Sequence, residues 1–387
     1  MASSFPISGD EDVEILLTSD DQDDTFQLHS YVLALHSRWF KASISERWNG
    51  TKSTTDGGKD RWVYVLRFDK DDAFGLLARQ EKATESENTT TEMITRKLPA
   101  DASAAVKKLH KQRLPRVNAH KRVFEAMYHI TPTFETSFQE ARTSMLQVTE
   151  VAEAYECQQV AKIHVVNHLN FSRNDVLDSC ASDPLQMLEL ASAVKAEWLF
   201  TEASIAILGL WRGAFAKCEP GLRAMGCWDL FQEKRAHFRE KLMACERRLF
   251  EMQPAYCYKA TAEMKGSGQL AIDFFRQWLS EQLSNDGGSH MKAGYAALYR
   301  DISRRQRKSD TTPDEMQQVT SFLTKCHSTL EESQVSKEVY KTFGMAASVL
   351  APILKNKSMQ QDNEGHSHRD LTFMTINASK IPWAQKK

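Results

Sequence analysis

Residues 12–40 read DVEILLTSDDQDDTFQLHSYVLALHSRWF, and this stretch decides the fold. Val13, Ile15 and Leu17 alternate with polar or outward positions, the period of a strand with one buried face. Ser19–Asp24 is a turn by composition, and Phe26 and Leu28 resume the alternation, so the segment reads as a hairpin. The period then changes. Val32, Leu33, His36, Trp39, Phe40 and Ser43/Ile44 recur at three and four, which marks an amphipathic helix.

Working outward, Gly50–Lys59 is a loop rich in Thr, Gly and Asp, and Arg61–Phe68 (RWVYVLRF) is a third strand of β-branched and aromatic residues. Ala73–Gln80 fits strand or helix equally. Glu81–Pro115 is rich in Glu, Thr, Ser and Lys and poor in large apolar residues. Such a composition does not offset the entropy of ordering, so a disordered insertion is expected over 81–115. Val123, Phe124, Met127 and Tyr128 form a helix face ending before Pro132. Leu146, Thr149, Val151/Ala152 and Tyr155 form another that continues toward Leu169.

Helices follow to the end. Asp183-Pro184 supplies an N-cap and a first-turn proline, with a face of Leu185, Leu188, Ala191, Val194 and Trp198. Later faces are Leu270, Phe274, Phe275, Trp278, Leu279; Val319, Phe322, Leu323, Cys326, Leu330; and Val339, Phe343, Ala346, Leu350. The expected organisation is a flexible 1–9, an α+β domain over 10–170 broken by the insertion, a helical region over 171–355 and a polar tail over 356–387.

At 387 residues the chain suits two domains and linkers. Its net charge of −1 selects neither nucleic acid nor membrane. The charge is locally uneven: residues 1–24 carry eight acids and no base, and residues 96–122 carry nine bases and one acid. An acidic lip and a basic arm either attract each other or each meet a partner. The seven cysteines form no C-x-x-C, which suits reduced thiols. The opening MASSFPISGDED lacks the basic-then-apolar pattern of a secretory signal, so cytoplasm and/or nucleus is the expected location.

Chemistry is sparse. Gly266-Ser-Gly-Gln-Leu-Ala271 matches a loose G-x-G-x-x-A, but the preceding YKATAEMK reads as helix where a dinucleotide loop needs a strand. His366 and His368 with Cys326 and His327 contain metal-ligating types, though about forty residues separate the pairs and no finger spacing results. Cys157, Cys180 and Cys326 fall on apolar helix faces as core filler. The basic stretches 96–122 and Arg304–Lys308 lack interleaved aromatics, so nucleic acid is a weak expectation. No catalytic residue, cofactor or metal ligand is expected, and the chain reads as a non-enzyme.

Residues 12–40 also resemble the opening of a BTB/POZ domain: an Asp-Val start, Phe-x-x-His-x-x-Val-Leu, then Ser-x-x-Phe. The matching positions are Asp12, Val13, Phe26, His29, Val32, Leu33, Ser37 and Phe40. The strand at 61–68, the helix at 117–130 and the Tyr-bearing stretch 145–157 follow in the family's order. DPLQMLELASAVKAEWLFTEASIAILGLW and the closing LTFMTINASKIPW are similar to the helical extension of fungal BTB proteins, loosely like a BACK region. The resemblance implies a small sheet against a helical cluster, a homodimer formed through the first helices, and a scaffold role in which His29 and Ser37 are structural. Two alternatives accompany it: a substrate adaptor of a cullin-based ubiquitin ligase, and a nuclear DNA- or chromatin-associated regulator using the basic insertion. Cullin-binding relatives place an apolar-x-Glu motif eight residues beyond the Ser-x-x-Phe phenylalanine. Here Trp48-Asn49-Gly50 stands there, and Ile44-Ser45-Glu46 comes four residues early, so Ile44, Glu46 and Trp48 are the candidate partner loop.

Overall fold

The computed structural model describes residues 5, 9–45, 53–54, 60–69, 73–80, 91–98, 101–254, 261–285, 295–305, 313–326, 331–359 and 371–384. The chain divides into two units. The first holds Met1–Val176 with Leu190–Ala196, the second Leu177–Glu189 with Glu197–Lys387.

In the first unit β1 (Val13–Leu16) pairs antiparallel with β2 (Thr25–Leu28), as the alternation requires: Val13 faces Leu28 and Ile15 faces Phe26. A helical break follows at Ser37, giving α1 (Ser30–His36) and α2 (Arg38–Ser43) where the periodicity suggested one helix. After β3 (Ser53–Thr54) comes the long β4 (Asp60–Asp69), then β5 (Leu76–Arg79) and β6 (Thr91–Glu92). β4 lies parallel to β1 and antiparallel to β3, β5 and β6. Its near-continuous apolar run reflects burial on both faces: Trp62 through Leu66 are all buried, as is Phe68.

α3 (Ala104–Met127) and α4 (Phe138–Ala154) follow beside the sheet, α5 (Gln158–Phe171) packs on both, and α6 (Arg173–Ser182) is divided between the units. Phe40, Tyr64, Phe124 and Tyr155, all fully buried, form the aromatic centre of this unit, with Phe40 5.5 Å from Tyr64 and 5.6 Å from Tyr155. His120 is buried beside them. Its Nε2–H donates to the Gly75 carbonyl at 3.1 Å, its Nδ1 accepts from the Tyr155 hydroxyl at 3.1 Å, and that hydroxyl accepts from Leu77 N–H at 3.3 Å. Gly75 has to be glycine here, since a Cβ would stand 2.7 Å from the Phe68 ring.

The insertion expected over 81–115 is ordered wherever it is described. Thr91–Glu92 joins the sheet, and α3 begins at Ala104, capped by the Ser103 hydroxyl, and runs through Pro115. Polar anchors replace the missing apolar ones. Arg113 donates to Glu92 at 2.6 Å and to the Asp69 carbonyl, and lies over the Phe68 ring. His110 donates to the Thr95 carbonyl at 2.7 Å. Residues 81–90 lie outside the described part.

In the second unit, α7 (Pro184–Val194, divided between the units) starts at the expected proline, and α8 (Glu197–Gly209) follows a turn at Lys195, whose φ is 53°. Trp198 therefore belongs to α8 and does not extend the α7 face. Short α9 (Arg212–Lys217) and α10 (Glu219–Ala224) lead into the long α11 (Trp228–Glu251). Next are α12 (Ala262–Asn285), α13 (Tyr295–Arg305), α14 (Pro313–Lys325) and α15 (Glu332–Leu354). Phe343 of α15 meets Phe275 and Trp278 of α12, each at 5.2 Å, and Arg305 lies over Trp278 and Phe343. Gly266 and Gly268 sit inside α12, so the loose glycine motif is helix. The part of the tail at 371–384 corrects the polar reading: Leu371, Phe373, Met374, Ile376 and Ile381 are buried.

Candidate interaction surface

The segment that carries the resemblance is built as a scaffold for α1. Asp12, at the start of β1, turns its carboxylate to the helix start. Oδ1 accepts from Ser30 N–H and Oδ2 from the Ser30 hydroxyl, both at 2.7 Å, satisfying an otherwise orphan donor of the first turn. His29, one residue earlier, is buried. Its backbone N–H donates to the Tyr128 hydroxyl at 2.6 Å, its Nδ1 lies 3.0 Å from that oxygen and its Nε2 3.1 Å from Asp10 Oδ1. Burial is the first cause that pushes the Tyr128 hydroxyl up to about 12, keeping it a neutral donor.

Asp10, Glu11 and His29 bring ligand-type atoms within 4.8 Å of one another. The contacts already on these groups account for the arrangement, since both imidazole nitrogens have partners and Glu11 accepts from Gly9 N–H at 3.0 Å. At the far end of α1, Ser37 Oγ accepts from Phe40 N–H at 3.0 Å as the cap of α2 and donates to the Tyr155 carbonyl at 2.6 Å.

Of the residues named from the sequence, Val13, Phe26, Leu33 and Phe40 are core and offer no surface to a partner, and Val32 is half-buried. Ile44 is half-buried at the end of α2, and Glu46 and Trp48 lie outside the described residues. Within residues 12–40 the exposed large apolar groups are two that the periodicity did not single out. Tyr31 is 67% and Leu35 76% exposed, one turn apart on the outer face of α1. An SYVLALH run is apolar all round, and only the buried position of Leu33 tells which side is outward.

The acidic and basic segments meet each other. Arg96 pairs with Asp24 at 2.6 Å and lies 3.3 Å from Asp21, and Asp20 accepts from the main-chain N–H groups of Arg96 and Lys97. Further along, Arg113, Arg116 and Arg122 pair with Glu92, Glu150 and Glu135. Lys107, Lys108 and Lys111 on the first half of α3 are exposed.

Cys157, Cys180, Cys218, Cys227 and Cys245 are buried thiols, and burial pushes Cys157 up to about 12, far from a reactive thiolate. Cys326 is exposed, which corrects its reading as core filler. Cys257, His327, His366 and His368 lie outside the described residues. Among the described residues no helix is long and apolar enough to cross a membrane. No family model, curated protein or solved structure matches the chain.

Proposed function

We propose that the first unit is a non-catalytic protein-interaction module of BTB/POZ type that pairs with a second copy of the chain through the outer face of α1, making the protein a dimeric scaffold. The observation that carries this is the exposure of Tyr31 and Leu35 on a helix fixed at both ends by Asp12 and Ser37. Large apolar groups on a rigid element offer area to a partner without an ordering cost. A two-fold contact presents the same patch from each side, so one such face suffices. The engagement of Arg96, Arg113, Arg116 and Arg122 with carboxylates of the same chain favours this reading over a phosphate-binding role for the basic segment.

The test is light scattering on the full chain at tens of micromolar. The expected result is a dimer for the native sequence and a monomer of unchanged circular dichroism for Tyr31→Glu/Leu35→Glu. A monomeric native chain, or a double variant that stays dimeric, overturns the proposal.

A further inference from the structure

Three imidazoles from three elements gather beside the α1 face. His36 ends α1, His129 follows α3, and His164 lies on α5. The His36 and His129 rings stand edge to face with centroids 5.3 Å apart. His129 is exposed and adopts φ 57°, the left-handed turn that closes α3 and sets the position of its ring. His164 hydrogen-bonds the Ala126 carbonyl in the last turn of α3. His36 is the next residue after Leu35, on the flank of the exposed face.

Two of the three rings, His36 and His164, resist charge. Burial first, and the charge of His129 second, hold both His36 and His164 below the ordinary imidazole range. Two carboxylates on the neighbouring segments have cationic partners of their own. Glu125 of α3 interacts with Lys121 and Arg122, and Glu135 pairs with Arg122 and acts on His168. Three neutral rings are compatible with further burial, whereas protonated ones repel one another and lose hydration when a partner covers them.

We propose that His36, His129 and His164 make pairing through α1 proton-sensitive, association being favoured while the three rings are neutral and released as they protonate. This rests on the reading of α1 as the self-association face. Two copies related by a two-fold bring two clusters to the contact, so dissociation takes up protons. Uptake of a single net proton changes the dissociation constant about tenfold per pH unit.

The experiment is sedimentation velocity on the full chain at about pH 7.5 and about pH 5.0, a window that reaches below the ordinary histidine value because His36 and His164 are held under it, with circular dichroism at both. The native chain is compared with His36→Gln/His129→Asn/His164→Gln, in which Asn tolerates the left-handed position. The expected result is a native dimer whose dissociation constant rises about tenfold or more at the lower pH, and a variant dimer that does not respond. A native dimer of equal affinity at both values overturns the proton switch alone, as does a variant that dissociates like the native chain. A native monomer at both values overturns the self-association reading and the switch with it. If the triple variant fails to fold, the single His129→Asn at its exposed site decides: a reduced pH response supports the switch, and an unchanged one overturns it.

Discussion

Arg96 grips Asp24 with two prongs, Nε donating to Oδ2 at 2.6 Å and Nη2 to Oδ1 at 2.7 Å, across 72 residues of sequence. Asp24 is fully buried and also accepts from the Thr18 hydroxyl at 2.9 Å. The fork ties the β1–β2 turn to the segment leading into α3, so the acidic lip and the basic arm are two halves of one structural joint. Truncation of Arg96 leaves a buried carboxylate short of its counter-charge. Arg96→Ala is expected to destabilise by about 2–4 kcal/mol, somewhat below a wholly buried pair because Arg96 is partly exposed. Arg96→Lys should restore only part of this, since an ammonium cannot fork. Urea titration measures both, and a loss under about 0.5 kcal/mol for the alanine variant contradicts the assignment.

Tyr155 carries the second joint. Its hydroxyl lies between the Leu77 N–H and His120 Nδ1, connecting α4, β5 and α3 in the core. Tyr155→Phe keeps the ring and leaves both partners buried without it. The expected cost is about 1–3 kcal/mol, the desolvation penalty of unpaired groups, where loss of packing would be small. Denaturation of this variant beside Phe40→Leu separates the two contributions; an unchanged midpoint for Tyr155→Phe shows that the chain of hydrogen bonds is energetically idle.

What could be read from the sequence follows what holds each element. β1, β2 and β4 rest on apolar alternation or apolar runs, and Val13, Ile15, Phe26 and Tyr64 announce them. The first half of α3 rests on Arg113, His110 and Arg96 reaching distant acceptors, which no local period records. The tail was obscured by averaging: the polar 356–370 masks the alternation of Leu371, Phe373 and the residues beyond. At the candidate surface, Val13, Phe26, Leu33 and Phe40 are core and Asp12 and Ser37 hold the ends of α1, while Glu46 and Trp48 lie outside the described residues. Tyr31 and Leu35 could be sorted outward only once Leu33 was placed inward.

Acid should weaken the first unit. His36, His120, His164 and His168 are all held below the ordinary imidazole range, burial being the first cause in each, and His120 reaches about 3. Unfolded, each binds a proton near pH 6.5. Between that value and the folded one the unfolded chain carries more protons, so stability is present above about pH 6.5 and is lost as the pH falls. His120 alone should remove about 2–3 kcal/mol between pH 6.5 and 4.5. Hydrogen exchange of β4 amides across this range reports it. His120→Gln should be less stable at neutral pH yet show a shallower decline, and an equal decline would assign the acid sensitivity elsewhere.

The tail segment at 371–384 should behave as part of the second unit's core. Phe373 stacks on Phe238 of α11 at 4.7 Å with rings 21° apart, and Trp383 meets Phe200 of α8 at 5.0 Å. Lys380 pairs with Glu233 at 2.8 Å, though both are exposed enough for water to weaken the pair. Upstream, the buried Glu202 accepts from the Ser358 hydroxyl at 2.7 Å and from Met359 N–H at 2.9 Å, fixing the chain as it leaves α15. The apolar contacts therefore dominate. Phe373→Ala should cost about 3–5 kcal/mol, as for a buried ring, whereas Lys380→Ala should leave the melt nearly unchanged. A chain ending at residue 370 should expose Phe238 and Phe200 and gain dye-binding apolar surface. Thermal melts with limited proteolysis after α11 decide this, because a tail that merely rests on the surface would leave both the melt and the cleavage pattern of the shortened chain unchanged.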